Sequence, residues 1–495
     1  MIFNKKYLIF LITAILISSF LNSQNIMLNS LTPDFHKSRR DSLKLIMPEN
    51  SIAVLFSNPK RNRANDVNYV YHQDPNFYYL TGLMEPNSAL IIFSEEQKDS
   101  LGYYDEIIYV QEKDPYSELW NSRRLGVKGA KKLKIDRIKM REEFILSSED
   151  YKKYNQVLFF DFKNDIRDSK KDPYDLFDLK RAFKRDINFL EVNSSLYQKT
   201  KDMKKNTSPT VNYNSKKLGQ LLGSLRESKT KEELEMLNMA IQISSIGQIE
   251  VMKAIKPGFS EREIQGIHEF VFKKYGAAFE GYPSIIGAGH NGCVLHYKKN
   301  NDFADNNELI LMDVGAEFHG YTADVTRTIP VNGIFSEEQK KIYEIVYKAQ
   351  EAGISYATIG SSKSKIHSVA YNEIAKGLIN LKIIDNIRDA RIYFPHGTVH
   401  HIGLDVHDLN TNSYFKENSV ITVEPGIYIP EGSKCDKKWW GIAIRIEDDV
   451  LISKNGPVIL SDGSPRKWNE IEDLMKQPSV LDDFELPKIS PLLNN

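Results

Sequence analysis

The stretch Leu309-Ile-Leu-Met-Asp-Val314, followed by Thr322-Ala-Asp-Val-Thr326, decides the fold of the second half of this chain. Both segments are apolar runs of the kind that form buried strands. The turn-like segment 317–320 between them predicts a hairpin, which would bring Asp313 and Asp324 close together across two strands. Burying an unpaired carboxylate is very costly, so two of them in such runs indicate a compensating positive charge.

Two further carboxylates lie in strand-like runs nearer the C-terminus. Glu424 ends the run Val-Ile-Thr-Val-Glu, and Glu447 ends the run Ile-Ala-Ile-Arg-Ile-Glu. Because side chains alternate along a strand, Thr422 shares a face with Glu424, and Arg445 shares a face with Glu447. The opposite faces carry Val and Ile, which predicts that the acidic faces are turned towards a common site.

Salt bridges are the simpler interpretation of each acidic residue taken alone. Asp324 has Arg327 close by in sequence, and Glu447 has Arg445. An isolated acidic residue in a strand is most often half of such a pair. Four carboxylates within one domain favour a cation site instead, because two divalent cations carry the four positive charges that would balance them.

A histidine-rich turn supplies a nitrogen ligand for the same site. His396, His400, His401 and His407 all lie within residues 395–407, and histidine is the commonest nitrogen ligand of catalytic metals. Four carboxylates and one imidazole make a mainly oxygen donor set, which favours Mn, Mg or Fe and leaves Zn and Co open. Two such ions make water nucleophilic at neutral pH, so the pattern indicates hydrolytic chemistry.

The order of predicted elements indicates a duplicated domain. Capping boxes at Thr230–Glu233 and Ser260–Glu263 begin two helices, which strand-like segments follow. A third box at Ser336–Gln339 begins another helix pair, followed by predicted strands over 419–429 and 441–452. Two helices and then strands, repeated twice, predict a duplicated α+β domain with a site between its halves.

The residues before this domain follow a different pattern. Short apolar runs alternate with charged, helix-like stretches, which predicts an α/β domain. The segment 161–175 is charged and poor in large apolar residues, so it is expected to be a loop or an insertion. The predicted domains are 30–222 and 225–470 with a tail at 471–495, and the strand-like runs of the first domain lie at 53–56, 89–93, 107–110 and 157–160.

The N-terminus and the composition give predictions about the localisation and the partners of this protein. Two lysines and an apolar run precede Ser23, which predicts a cleaved signal peptide over residues 1–24 and a secreted or periplasmic protein. No later run is apolar enough to span a bilayer. A formal net charge of zero gives no indication of a nucleic-acid partner. Cys293 and Cys435 are expected to be separate core residues, with pairing left open.

The acidic and histidine segments form five blocks: Met312-Asp-Val-Gly315, Ala323-Asp-Val-Thr-Arg-Thr328, His396-Gly-x-x-His400 with Gly403-Leu-Asp-Val-His407-Asp408, Thr422-Val-Glu-Pro-Gly-Ile-Tyr428, and Ile444-Arg-Ile-Glu-Asp448. Their order and spacing resemble the Xaa-Pro aminopeptidase and prolidase branch of the pita-bread metallopeptidases. In the first domain, Arg63-x-x-Asp66 and Gln73-Asp-Pro-Asn-Phe-Tyr-Tyr-Leu-Thr-Gly82 resemble the N-terminal domain of Xaa-Pro aminopeptidases. The resemblance implies an α/β N-terminal creatinase-like domain followed by an α+β duplicated pita-bread catalytic domain.

The resemblance also implies a metal ligand set. Asp313 would bind one metal ion, and Asp324 and Glu447 would bridge both. His400 and Glu424 would complete the shell of the second ion, with Glu424 also acting as general base. The implied cofactors are two divalent metal ions, with Mn preferred.

The same family resemblance implies roles for further residues. His296 and His407 would line the site, stabilise the tetrahedral intermediate and orient the substrate. Arg445 would support the metal-binding carboxylates, His396 would shape the site, and Asp66 matches a position near the substrate. The histidine turn departs from the family pattern at its last position, where His401 is an alternative ligand to His400.

The implied activity is hydrolysis of the bond between an N-terminal residue and a penultimate proline, in a homo-oligomer acting on peptides. Two alternatives remain open at this point. A prolidase would apply the same chemistry to Xaa-Pro dipeptides only. A pita-bread module that binds peptides without catalysis is the other, and it is disfavoured because such relatives lose metal ligands.

Overall fold

The protein consists of two compact units, which meet in sequence between Arg226 and Glu227. The predicted boundary at 222–225 falls inside the helix Lys217–Arg226 and is therefore slightly too early. The predicted signal peptide and most of the segment 161–175 lie outside the described residues. The computed structural model describes residues 31–146, 149–162, 174–189, 211–483 and 486.

The described part of the first unit is a mixed six-stranded sheet with helices. Its central strand Ser51–Phe56 pairs antiparallel with Ala89–Asp99 and parallel with Gln156–Leu158. The predicted strands are confirmed as members of this sheet, except that the one predicted at 157–160 ends at Leu158. The other three strands of this sheet are Gly102–Val110, Arg137–Met140 and Tyr213–Asn214, and Asn62–Ala64 pairs with Val67–Asn68 in a separate two-stranded sheet. The helices are Pro33–Ile46, Pro75–Thr81, Pro115–Trp120, Gly126–Ala130, Arg141–Leu146, Leu176–Asp186 and Lys217–Arg226.

The second unit repeats one pattern, a pair of helices followed by antiparallel strands. Each predicted capping box is present, with the first residue's side chain accepting from the backbone three residues later and the acidic or amide side chain bonding back. The duplicated α+β architecture is therefore confirmed. The helices are Lys231–Ala254, Glu261–Lys274, Glu337–Ser355, Lys363–Asn380, Ala390–Tyr393 and Trp468–Leu474, the last of which crosses the predicted start of the tail at 471.

Small antiparallel sheets follow each helix pair. In the first half, Leu309–Val314 lies between two partners and pairs with both. In the second half, Asp448–Ser453 has the equivalent central place. The strands are Phe279–Glu280, Ile285–Ala288, Leu309–Val314, Ala316–Phe318, Tyr321–Thr322, Val325–Pro330, Val420–Val423, Gly426–Ile429, Ile442–Arg445, Asp448–Ser453 and Gly456–Ile459.

The predicted strands over 419–429 and 441–452 are not continuous, and both break at an acidic residue. The chain leaves one sheet at Glu424 and joins another at Gly426, because Pro425 has no N–H for a ladder bond. The second strand breaks before Glu447, whose N–H donates to the carbonyl of Thr326. The prediction of two long strands was therefore wrong in this detail.

The predicted hairpin is present but offset. Its turn is formed by His319 and Gly320, which both have positive φ, as a type I′ turn requires. In the long pair of strands, Asp313 lies opposite Thr326, and Asp324 precedes the paired strand. Among the described residues, no helix combines the length and the apolar character that crossing a bilayer needs.

Candidate metal centre

The predicted acidic residues and His400 converge in the second unit. Ligand atoms of Asp324, His400 and Glu447 all lie within 4.8 Å of one another. Asp313 and Glu424 line the same cavity, which has a volume of about 710 Å³. The structure thus brings together all five residues that the sequence analysis assigned to metal binding.

The strand breaks position these carboxylates. Asp313 projects from a continuous buried strand, while Asp324, Glu424 and Glu447 each occupy a junction between strands. Their backbones are fixed by bonds outside the regular ladders, such as the N–H of Asp324 donating to Asp449 at 3.0 Å. Each junction therefore presents its carboxylate to the same cavity.

His400 faces the carboxylates through its Nε2 atom. This atom lies 3.4 Å from Asp324 Oδ2 and 3.6 Å from Glu424 Oε1. The His400 N–H donates to Thr422 Oγ1 at 3.2 Å, which holds the turn against the strand. Burial alone would lower the pKa of His400, but the hydrogen bond to Asp324 and the negative charges of Asp324 and Glu424 raise it to about 9.

His401 points away from this cluster. It is buried, and its ring packs against Phe415 with ring centres 5.7 Å apart. Burial lowers the pKa of His401 to about 3, so it is neutral. His400 is therefore the histidine of this turn that faces the carboxylates, and His401 belongs to the core beneath the turn.

The carboxylates carry more negative charge than the surrounding protein compensates. Burial, opposed by His400 and Arg445, raises the pKa of Glu424 to about 8. Burial and the neighbouring carboxylates raise the pKa of Glu447 well above its usual range. The same two causes raise the pKa of Asp324. A buried, oxygen-rich set with excess negative charge fits divalent cations, which would supply the missing positive charge.

Arg445 compensates one carboxylate, though not the neighbour that the sequence suggested. Its guanidinium donates to Asp313 Oδ2 at 2.6 Å and to the hydroxyl of Tyr428 at 2.8 Å. That hydroxyl also lies 2.8 Å from Nε2 of His396. Arg445 and His396 therefore belong to one network at the edge of the carboxylate cluster.

The salt-bridge interpretation of Asp324 and Glu447 is also wrong. Arg327 pairs with Asp448 at 2.7 Å, not with Asp324, and both partners are fully buried. Glu447 accepts from the hydroxyl of Thr326 at 2.6 Å. Asp324 and Glu447 are thus left for the cluster itself.

Tyr282 is a site residue that sequence reasoning missed. Its hydroxyl lies 2.6 Å from Asp313 Oδ1 and 2.5 Å from Asp324 Oδ1. Burial and the charge of Asp313 raise the pKa of Tyr282 well above its usual range, so the hydroxyl keeps its proton. No motif in the sequence marks Tyr282 as a site residue. The one feature that could have pointed to it is its position just before the strand Ile285–Ala288.

His296 and His407 lie at the mouth of the cavity, where both are exposed. The ring of His407 packs on that of His400, with ring centres 4.2 Å apart. Asp66 lies in the first unit, at an exposed turn between two short strands. Its predicted role near the substrate stays a prediction.

Comparison with known proteins agrees with this geometry. The description "Metallopeptidase family M24" matches residues 235–454, and "Aminopeptidase P, N-terminal domain" matches residues 36–163. The Xaa-Pro aminopeptidase of Haemophilus influenzae is 32% identical over 89% of this chain and 96% of its own length. Xaa-Pro aminopeptidase 3 of Homo sapiens is 33% identical over 86% of this chain and 81% of its own length.

Solved structures give the same result. Aminopeptidase PepP of Pseudomonas aeruginosa has a TM-score of 0.78 and 30% identity, over 90% of this chain and 98% of that one. The matches point to aminopeptidase P and do not support the prolidase branch that the sequence analysis included. The chain belongs to metallopeptidase family M24 and carries the aminopeptidase P N-terminal domain.

Proposed function

We propose that this protein is an Xaa-Pro aminopeptidase, which hydrolyses the bond between an N-terminal residue and a following proline with the help of two divalent metal ions. The observation that carries the proposal is the convergence of four carboxylates and His400 in one cavity of an aminopeptidase P fold. Relatives that cover most of the chain bear the name Xaa-Pro aminopeptidase.

The cluster supports the ligand set that the family resemblance implies. On the family resemblance, Asp313, Asp324, His400, Glu424 and Glu447 would hold the two ions, and all five line one cavity. The mainly oxygen donors favour Mn. When bound, the two ions lower the pKa of water and polarise the scissile carbonyl group.

Glu424 is the general base of the proposed reaction. Its carboxylate lies at a strand junction in the cavity, with Oε1 3.6 Å from Nε2 of His400. It takes a proton from the attacking water and returns it to the proline nitrogen, which must be protonated to leave. The two histidines at the mouth of the cavity, His296 and His407, orient the peptide. They donate to the oxygen of the scissile carbonyl group, on which negative charge develops.

Arg445 and Tyr282 are positioning residues in this scheme. Each bonds Asp313 through a different oxygen, Arg445 to Oδ2 and Tyr282 to Oδ1. Both oxygens are thereby fixed in direction. Such partners of ligating carboxylates commonly affect metal affinity or activity by 10- to 100-fold.

The N-terminal sequence supports a further part of the proposal. A signal peptide over residues 1–24 would direct the protein out of the cytoplasm, to the periplasm or the exterior. We propose in addition that the mature protein forms a homo-oligomer. N-terminal sequencing of the exported protein and its mass in solution test these two statements.

The decisive experiment compares an Xaa-Pro-Xaa tripeptide with an Xaa-Pro dipeptide as substrates of the Mn-loaded mature protein. Release of the first residue from the tripeptide, abolished by a chelator and lowered at least about 100-fold by Glu424→Gln, is the expected result. Glu431→Gln, at an exposed position, is the matched control and should retain activity. Cleavage of the dipeptide alone would make the enzyme a prolidase, and cleavage of neither would refute the proposal.

A further inference from the structure

A lysine at the mouth of the metal-site cavity has no part in the chemistry described above. Lys298 lines the same cavity as the carboxylate cluster and is exposed. Within the described ranges it makes no ion pair. By contrast, Arg445 in the same cavity is bound to Asp313 at 2.6 Å. Lys298 is therefore a cation of this cavity that is available to a ligand.

The segment that carries Lys298 is firmly held. Tyr297 does not line the cavity, and its hydroxyl donates to Glu261 Oε2 at 2.9 Å. Asn300 is buried and donates to the carbonyl of Ser284 at 2.8 Å. Its two neighbours in sequence, His296 and Lys298, both line the cavity.

A carboxylate at the same mouth does not neutralise this lysine. Asp405 is exposed there and its Oδ1 accepts from the N–H of His407 at 3.2 Å, and within the described residues it forms no ion pair with Lys298. The mouth thus offers a positive charge and an acidic group that is already hydrogen-bonded. An anion that enters the cavity would meet Lys298.

The direction of the substrate places its later residues at this mouth. An aminopeptidase holds the N-terminal residue innermost, so the chain after the proline leaves through the opening. One extended residue spans about 3.3–3.6 Å, so the carboxylate of a tripeptide lies roughly 7 Å beyond the scissile bond. The exposed side chains at the opening are the first that such a group encounters.

We propose that Lys298 binds a carboxylate of the substrate beyond the proline, and that it thereby favours peptides with a negative charge at the third residue. The charge is either the C-terminal carboxylate of a tripeptide or an acidic side chain. The inference rests on the proposed aminopeptidase function and adds its substrate preference. Lys298 acts on binding, so its effect belongs in KM and not in kcat.

The test compares four peptides that differ in charge: Ala-Pro-Ala and its C-terminal amide, and the amides of Ala-Pro-Asp and Ala-Pro-Asn. We expect kcat/KM to favour the charged member of at least one pair, by up to about five-fold for an exposed ion pair. The preference should decline in 0.5 M salt, which screens exposed charges. The pair that shows it identifies the source of the carboxylate.

Lys298→Gln should remove that preference and leave kcat/KM for the uncharged peptides unchanged. Lys299→Gln is the matched control, because this neighbouring lysine is exposed but does not line the cavity. A preference that survives Lys298→Gln, or a wild type with no preference in either pair, would overturn the inference while leaving the aminopeptidase intact. A wild type that cleaves none of the four would overturn both.

Discussion

Replacing Arg327 with methionine is expected to lower the free energy of unfolding by about 3–5 kcal/mol. The guanidinium is fully buried and donates to Asp448 Oδ1 at 2.7 Å. It also donates to the carbonyls of Glu447 at 2.6 Å, Thr326 at 2.9 Å and Ser464 at 2.9 Å. Methionine fills a similar volume but leaves these acceptors without their donor.

The magnitude follows from what remains around Asp448. Its carboxylate keeps the hydroxyl of Ser461 at 2.6 Å and the amide of Gln350 at 2.8 Å. Arg466 is a weaker substitute, with Nε 3.3 Å from Asp448 Oδ2. Removing one partner of a buried pair costs about 3–5 kcal/mol, and these remaining contacts favour the lower end of that range.

Urea unfolding of the chelator-treated protein measures this loss without a contribution from bound metal. Arg391→Met is the control, because Arg391 is exposed and its replacement should change stability by less than about 0.5 kcal/mol. The double variant Arg327→Met with Asp448→Leu should recover part of the loss, since the uncompensated charge is gone. A loss below about 1 kcal/mol for Arg327→Met would refute the argument.

Three other changes have definite expected outcomes in the same assay. Gly315→Ala should destabilise by at least about 3 kcal/mol, because an added Cβ would lie 1.8 Å from the carbonyl oxygen of Ala323. Gly266→Ala, in open space on a helix, should instead stabilise by about 0.5–1 kcal/mol. Burial lowers the pKa of His268 to about 3, so stability should fall as the pH decreases from 6.5, where only the unfolded state gains this proton. His268→Leu should make that fall shallower by up to about 1.4 kcal/mol per pH unit, and equal slopes would contradict this.

Local signals explain why the helices were predictable. Each capping box needs residues only three positions apart, and all three boxes begin helices where expected. The helix Glu337–Ser355 then continues because its apolar residues recur on one face. The predicted helix starts gave the repeated order of helices and strands, and this repeated order predicted the duplicated domain.

Partners in the site were not predictable in the same way. Arg445 and Asp313 are 132 positions apart and meet only through the packing of the two halves of the unit. The sequence suggested Glu447 as the partner of Arg445, because alternation places both on one face. The break before Glu447 removes that alternation, and the guanidinium turns to Asp313.

The breaks themselves explain why the acidic residues converge. In an unbroken strand, Glu424 would remain on the face that its register dictates, flanked by ladder bonds on both sides. At a junction, its N–H instead donates to Thr398 at 2.9 Å, and the N–H of Glu447 donates to Thr326 at 3.1 Å. Each contact joins a carboxylate-bearing junction to a different segment, so the ligands are held by tertiary bonds. A cluster assembled in this way can contain more negative charge than any one strand could tolerate, and this excess charge is the feature that fits divalent cations.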